Sequence, residues 1–103
     1  MKEVRVYIIA NLQIHDADRY REYEKGFFPI LKKYEGEFIT FDDNIVHMEG
    51  DKPMEGRVIL LSFPSAKHAD VWYSSDEYQT LSEHRRASVT TTLTKVSGMP
   101  VRK

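Results

Sequence analysis

Two arginines, at positions 57 and 85, are the charged side chains best suited to hold a ligand. Arg57 opens a run of aliphatic residues, and Arg85 lies on a stretch of helical spacing further along the chain. Two guanidinium groups brought together by the fold hold a carboxylate through paired hydrogen bonds. Ion pairing with Glu49, Asp51 or Glu77 is the alternative explanation of these charges.

Three aromatic residues between these arginines have polar atoms that can face a ligand. Trp72, Tyr73 and Tyr78 offer an indole N–H and two hydroxyl groups for the wall of an apolar pocket. The alternative is that Trp72 packs in the core and a tyrosine hydroxyl bonds a backbone acceptor. The candidate ligand-binding residues are therefore Arg57, Trp72, Tyr73, Tyr78, Arg85 and Glu49.

A histidine and a carboxylate lie two residues apart in a segment with the composition of a strand. In a strand, His47 and Glu49 point to the same face, as an acid–base pair or two metal ligands would. Two ligands do not make a metal site, and no further His or Cys has supporting spacing, so neither a metal nor another cofactor is predicted. A surface pair is the alternative.

Asn11 is the second residue considered for a catalytic role, beside His47. It lies on the mixed face of the first predicted strand, where its amide can hydrogen-bond an oxygen in a pocket. An asparagine satisfied across a dimer interface is the alternative. The remaining histidines, which we interpret as surface residues, are His15, His68 and His84.

The elements that must position these residues follow from hydrophobic spacing. Strict alternation over residues 4–14 predicts a first strand, and Asp16 is placed to cap a helix with an apolar stripe. Pro29 is expected to kink or split that helix, and Gly36 to end it. The further predicted strands are residues 37–41 with 45–49, broken by a turn, a central strand covered on both faces at 57–63, and a last strand at 88–96.

Two helical segments connect the central strand to the last one. Ser65 caps the first, and Ser-x-x-Glu spacing places a second helix start at Ser74. This order predicts an α+β, ferredoxin-like βαββαβ domain over residues 1–103, an antiparallel sheet with helices on one face. The bare face of the sheet is too apolar for water, so a homodimer is expected.

Composition excludes several classes of protein. A net charge of −1 gives no reason to expect a nucleic acid partner, and the absence of cysteine rules out disulfides and thiolate chemistry. No apolar run reaches membrane-spanning length, and no signal-peptide cleavage pattern follows the first strand. A cytoplasmic protein without a membrane partner is expected.

From Phe63 onward the chain carries a family pattern. It reads Phe63-Pro64-Ser65, then Ala69-x-x-Trp72-Tyr73-x-Ser75-x-Glu77-Tyr78-Gln79, then Arg85. The upstream positions that match are Asp16, Tyr20-x-x-Tyr23, Tyr34-x-Gly36, Glu49-Gly50 and Arg57. In these residues the chain resembles a bacterial domain of unknown function, numbered 1330, in the dimeric α+β barrel superfamily. Asp76 departs from that family, which usually has proline there, and His47 stands where an acidic residue is common.

The resemblance implies a homodimeric ferredoxin-like fold with a pocket between sheet and helices, and no established activity. Related barrels include cofactor-independent monooxygenases, small isomerases and haem proteins similar to chlorite dismutase, but a shared fold does not transfer function. Three functions therefore stay open. They are a dimer that binds a small aromatic or carboxylate-bearing molecule, a purely structural dimer, and a cofactor-independent enzyme of the monooxygenase or isomerase kind.

Overall fold

The computed structural model describes residues 4–100, which contain four strands and three helices. In chain order these are β1 Val6–Ile14, α1 Ala17–Lys33, β2 Glu37–Asp42, β3 Arg57–Phe63, α2 Ala66–Ser74, α3 Asp76–Ser88 and β4 Val89–Ser97. Residues 1–3 and 101–103 of the predicted domain lie outside the described residues. None of the helices within residues 4–100 is both long and apolar enough to cross a membrane.

The four strands form one antiparallel sheet in the order β2-β3-β1-β4. This order, with the helices packed on one face, confirms the ferredoxin-like α+β arrangement that the sequence predicts. The inner strands are β1 and β3, and their register places Val6 opposite Phe63 and Leu12 opposite Arg57. Arg57 therefore lies toward the end of the sheet from which α1 starts.

Alternation along β1 separates the two faces of the sheet. The β1 residues buried against the helices are Val6, Ile8, Ala10 and Leu12. The opposite face, here called the open face, has an apolar centre made of Tyr7, Ile9, Val58, Leu60 and Val96. Tyr7 and Val96 are 37% and 41% exposed, so this centre lacks a cover within the described residues.

Helix α1 begins where the sequence predicts. The Asp16 carboxylate accepts a hydrogen bond from the Arg19 backbone N–H at 3.1 Å and so caps the first turn. Pro29 lies inside the helix, which continues to Lys33, so the expectation that proline splits it is wrong. Because Phe27 and Leu31 on either side are both buried in the core, packing holds the helix together across the missing N–H.

The end of α1 has the hydrogen bonds of a Schellman motif. The Gly36 N–H donates to Leu31 O at 2.8 Å, and the Glu35 N–H donates to Lys32 O at 3.0 Å. The left-handed residue is Glu35, with φ of 65°, not the glycine that the sequence suggests as the stop. Gly36 is needed for space instead, since a Cβ there would lie 2.3 Å from Leu31 Cδ1 and 2.7 Å from a Phe63 ring carbon.

Residues 43–56, here called the β2–β3 loop, correct one strand prediction. The run at 45–49 is not a strand: an Asx turn, in which the Asn44 N–H donates to Asp42 Oδ1 at 2.7 Å, ends β2. Both edges of β3 are already paired, with β2 and β1, and no buried surface covers the run. Val46 and Met48 are accordingly 82% and 91% exposed.

Helix α3 begins one residue later than the capping-box spacing predicts. Its N-cap is Ser75, whose hydroxyl accepts from the Tyr78 N–H at 3.2 Å. Ser74 instead ends α2, and its hydroxyl donates to Asp70 O at 2.5 Å. The cap at Ser75 turns Tyr78 and Arg85 of α3 toward the core, where both are buried.

Candidate ligand-binding cavity

A cavity of about 170 Å³ lies between the core face of the sheet and helices α1 and α3. The apolar residues of its wall include Ala10, Leu12, Phe27, Phe38, Ile59 and Leu61. Three of its lining residues, Glu24, Phe28 and Phe41, are exposed and therefore form its mouth. An apolar protein cavity of roughly 150 Å³ is large enough for benzene. This cavity accordingly has room for a molecule built on a single ring.

Arg85 lines the cavity as a buried cation without a counter-ion. Arg85 is only 5% exposed. Within residues 4–100 its side chain forms neither an ion pair nor a hydrogen bond to another side chain or to the backbone. Its Nε is fully buried without a partner, and its guanidinium carbon lies 5.7 Å from the centre of the Tyr23 ring. Since a buried charge is stable only when it is paired, this arrangement favours an anion as the missing partner.

Trp72, another residue of the cavity lining, also has an unpartnered donor. Its indole Nε1 is buried without a hydrogen bond, while its ring packs 4.2 Å from Tyr78 and 5.0 Å from Phe63, measured between ring centres. The two other buried unpartnered polar atoms among the described residues, Ser82 Oγ and Thr91 Oγ1, belong to residues outside the cavity lining. Two residues of the cavity lining, Arg85 and Trp72, therefore have unsatisfied N–H donors.

Two tyrosine hydroxyls are paired in the cavity wall. Tyr23 and Tyr78 share a hydrogen bond of 2.6 Å between their hydroxyl oxygens. Burial, and next the Tyr78 hydroxyl, hold the pKa of Tyr23 well above its usual value of 10.0. Burial also raises the pKa of Tyr20 to about 12, against the opposing effect of the nearby Arg57 cation. At neutral pH Tyr20 and Tyr23 are therefore uncharged, and they leave the charge of Arg85 uncompensated.

Arg57 lines the cavity too, but it is already neutralised. Its Nε and Nη2 donate to the two oxygens of Asp43 at 2.6 and 3.1 Å, and its Nη1 donates to Glu24 at 3.2 Å. This pairing lowers the pKa of Asp43 below its usual value and raises that of Arg57. The partners are not the residues that the sequence suggests, Glu49, Asp51 or Glu77, because those carboxylates lie elsewhere on the fold. Arg57 and Arg85 share one cavity, but of the two only Arg85 lacks a counter-ion among residues 4–100.

Two of the predicted ligand-binding residues lie outside the cavity lining. Tyr73 is 44% exposed on the outer side of α2, and its ring centre lies 6.2 Å from that of Trp72. Glu49 is exposed in the β2–β3 loop, so the predicted same-face pairing of His47 with it in a strand is wrong. His47 Nε2 lies 2.7 Å from Gly50 O instead.

Asn11, the other residue considered for catalysis, projects from the open face and not into the cavity. Its side-chain N–H groups donate to the backbone oxygens of Glu55 at 2.8 Å and of Arg57 at 3.1 Å. Gln13 donates to the same Glu55 oxygen at 2.6 Å. These bonds hold the end of the β2–β3 loop against β1, which is a structural role.

For several cavity residues, no sequence pattern predicts a place in the cavity lining. Tyr20 and Tyr23 fit a core stripe at helical spacing, and they do pack in the core, but the same stripe also lines the cavity. Glu24 follows Tyr23 directly, and nothing in its spacing indicates that it meets Arg57 of β3. Asp43 belongs to a turn signal, which predicts backbone geometry and no ion pair. Within residues 4–100, no group of three or more potential metal-ligating side chains occurs together.

Comparison with known proteins places the fold among small α+β domains. Residues 5–99 match the model of a domain of unknown function, DUF1330. No curated protein sequence matches the chain. Among solved structures, RPA0582, a protein of unknown function from Rhodopseudomonas palustris, is 13% identical with a TM-score of 0.79, over 97% of this chain and 86% of that one.

Two further structures have the same fold at greater distance. SnoaB, a cofactor-independent oxygenase from Streptomyces nogalater, is 14% identical with a TM-score of 0.57, over 97% of this chain and 95% of that one. An uncharacterized NIPSNAP-like domain protein from Burkholderia xenovorans is 12% identical with a TM-score of 0.58, over 100% and 91% of the two chains. At such identities the similarity shows a shared fold alone.

Proposed function

The chain belongs to the DUF1330 family of domains of unknown function, and we propose that it binds a small monocarboxylate with an apolar, ring-sized body in the cavity lined by Arg85. The observation that carries this proposal is the buried Arg85 guanidinium, which lacks a counter-ion within residues 4–100. A ligand carboxylate supplies the missing negative charge.

The second donor and the wall define the rest of the ligand. A carboxylate has two oxygens, and Trp72, which lines the same cavity as Arg85, has an unpartnered N–H that could donate to the second one. The surrounding wall is aliphatic and aromatic, which suits an apolar body and disfavours a strongly hydrated dianion such as phosphate. A substituted benzoate has the charge, the size and the shape that these features require.

The only tryptophan of the chain lies in the cavity, so its fluorescence reports directly on binding. We expect p-toluate to change this fluorescence saturably, and its neutral counterpart p-toluamide to bind at least about tenfold more weakly. Arg85→Met should weaken p-toluate binding by roughly 30-fold, because it removes a charged hydrogen bond. Equal binding of the acid and the amide would overturn the proposal.

The matched control is Arg86→Met. Arg86 is an exposed neighbour on α3 that bonds Gln79 and does not line the cavity. The Arg86→Met substitution removes the same charge from the same helix, and the affinity for p-toluate should stay unchanged.

We extend the proposal to a homodimer formed through the open face. The apolar centre of that face, around Ile9 and Leu60, is supported on one side by the core and uncovered on the other. A second copy covers such a surface with an identical one. The cytoplasmic location and the absence of a nucleic acid partner stay predictions from the sequence.

The enzymatic alternative has less support in this chain. Its two catalytic candidates, Asn11 and His47, lie outside the cavity lining, and similarity to the oxygenase SnoaB extends to the fold. A pocket filled by its own side chains would favour the purely structural alternative, whereas the cavity here has an open volume of about 170 Å³ and lining residues with unsatisfied donors. Binding of a ligand is therefore the function that we propose.

A further inference from the structure

Three charged side chains at the mouth of the cavity form a group with a net negative charge. Arg57 is bound by both Asp43 and Glu24, so one positive charge faces two negative ones. Asp43 takes two guanidinium N–H groups in a bidentate pair, whereas Glu24 takes one, through Nη1 at 3.2 Å. Of the two carboxylates, only Glu24 lines the cavity itself.

Both arginines line the cavity, each beside a tyrosine ring of α1. Arg57 lies 5.8 Å from the centre of the Tyr20 ring, and Arg85 lies 5.7 Å from that of Tyr23. These tyrosine rings are stacked, with their centres 5.5 Å apart. A single-ring acid held at Arg85 therefore places the rest of its body in a cavity of about 170 Å³ whose lining also includes Arg57 and Glu24.

We propose that Glu24 makes the cavity selective for monocarboxylates over dicarboxylates of the same size. This inference rests on the proposed function. A second carboxylate at the far end of the ligand would need the Arg57 N–H that Glu24 occupies, and it would meet the negative charge of Glu24 directly. An uncharged substituent meets neither obstacle, and it also packs against the mouth residues Phe28 and Phe41.

The test compares p-toluate with terephthalate, which differ only in a methyl group and a carboxylate at the far end. Wild-type protein should bind p-toluate at least about tenfold more tightly, by Trp72 fluorescence. Glu24→Gln should reduce this preference about five- to tenfold, mainly by improving terephthalate binding, since the glutamine lacks the repelling charge. The effect of the substitution should shrink at high salt, because the mouth is exposed.

Glu22→Gln is the matched control. Glu22 is an exposed carboxylate on the same helix, it pairs with Lys25, and it does not line the cavity. The control should keep the wild-type preference between the two acids.

The possible failures can be told apart. If p-toluate binds through Arg85 but Glu24→Gln leaves the preference for it unchanged, the selectivity inference is wrong and the proposed function stands. The same holds if Glu22→Gln changes the preference as much as Glu24→Gln does. If wild-type protein binds neither acid, the proposed function is wrong and the inference falls with it.

Discussion

Arg85 brings a full charge into the protein interior and meets no opposite charge within the described residues. The nearby Tyr23 ring gives partial compensation through its electron-rich face. A stacked ring does not replace the hydration that the guanidinium loses on burial. The free protein should therefore be less stable than its packing allows, and a ligand anion should recover that loss.

Replacing Arg85 by methionine should raise the free energy of unfolding by about 1–2 kcal/mol, since methionine fills similar space without a charge. Urea denaturation of the ligand-free protein measures this change. At one high concentration, p-toluate should stabilise Arg85→Met by up to about 2 kcal/mol less than the wild type, as a roughly 30-fold weaker affinity requires. A loss of more than about 1 kcal/mol in Arg85→Met would indicate that the arginine already has a stabilising partner.

At the scale of elements, local patterns predicted what local forces determine. Alternation was sufficient to predict β1, and the cap at Asp16 was sufficient to predict the start of α1, because each depends on neighbours in sequence. The run at 45–49 also alternates, but it has no strand beside it, and a strand requires a partner that its own residues do not specify.

The cavity was predictable in part for the same reason. Helical spacing led to Trp72, Tyr78 and Arg85, which α2 and α3 do bring to the cavity. Arg57 of β3 pairs with Asp43 of the β2–β3 loop, 14 positions away, and with Glu24 of α1, 33 positions away. Only the folded chain sets such distances, so the sequence could not show that Arg57 is neutralised and Arg85 is not.

The end of α1 offers a direct test at this scale. Glu35 adopts a left-handed backbone conformation that a side chain disfavours, so Glu35→Gly should raise the free energy of unfolding by about 0.5–1 kcal/mol. Thermal denaturation followed by circular dichroism measures it. Glu35→Ala is the control, because it also loses the exposed contact of the Glu35 carboxylate with His68 Nε2 at 3.4 Å but keeps a Cβ, and it should not stabilise the protein. Equal stabilisation by both variants would contradict the backbone explanation.

At the scale of the whole molecule, the sheet has two unequal faces. The helices cover one and form the cavity there, while the open face exposes apolar side chains beside the polar groups of Asn11 and Gln13. Because the two faces belong to the same strands, a cover on the open face would also stiffen the floor of the cavity.

Substitution of Ile9 by aspartate should convert the proposed dimer into a monomer, since it buries a charge at the centre of the interface. Light scattering after size-exclusion chromatography measures the mass of each species. Val71→Asp, an equivalent change on the exposed side of α2, should leave the dimer intact. A monomeric wild type at micromolar concentration, or a dimeric Ile9→Asp, would contradict the proposal.

The strand order has a consequence for the synthesis of the protein. β1 is made first among the strands, yet one of its edges pairs with β4, whose residues Val89–Ser97 leave the ribosome last among the described elements. Until then a hydrophobic strand edge stays unpaired on the nascent chain, and such edges readily pair with the wrong partner. We therefore expect the growing chain to be most prone to mispairing before β4 emerges, since the free edge of β1 gains its partner only then.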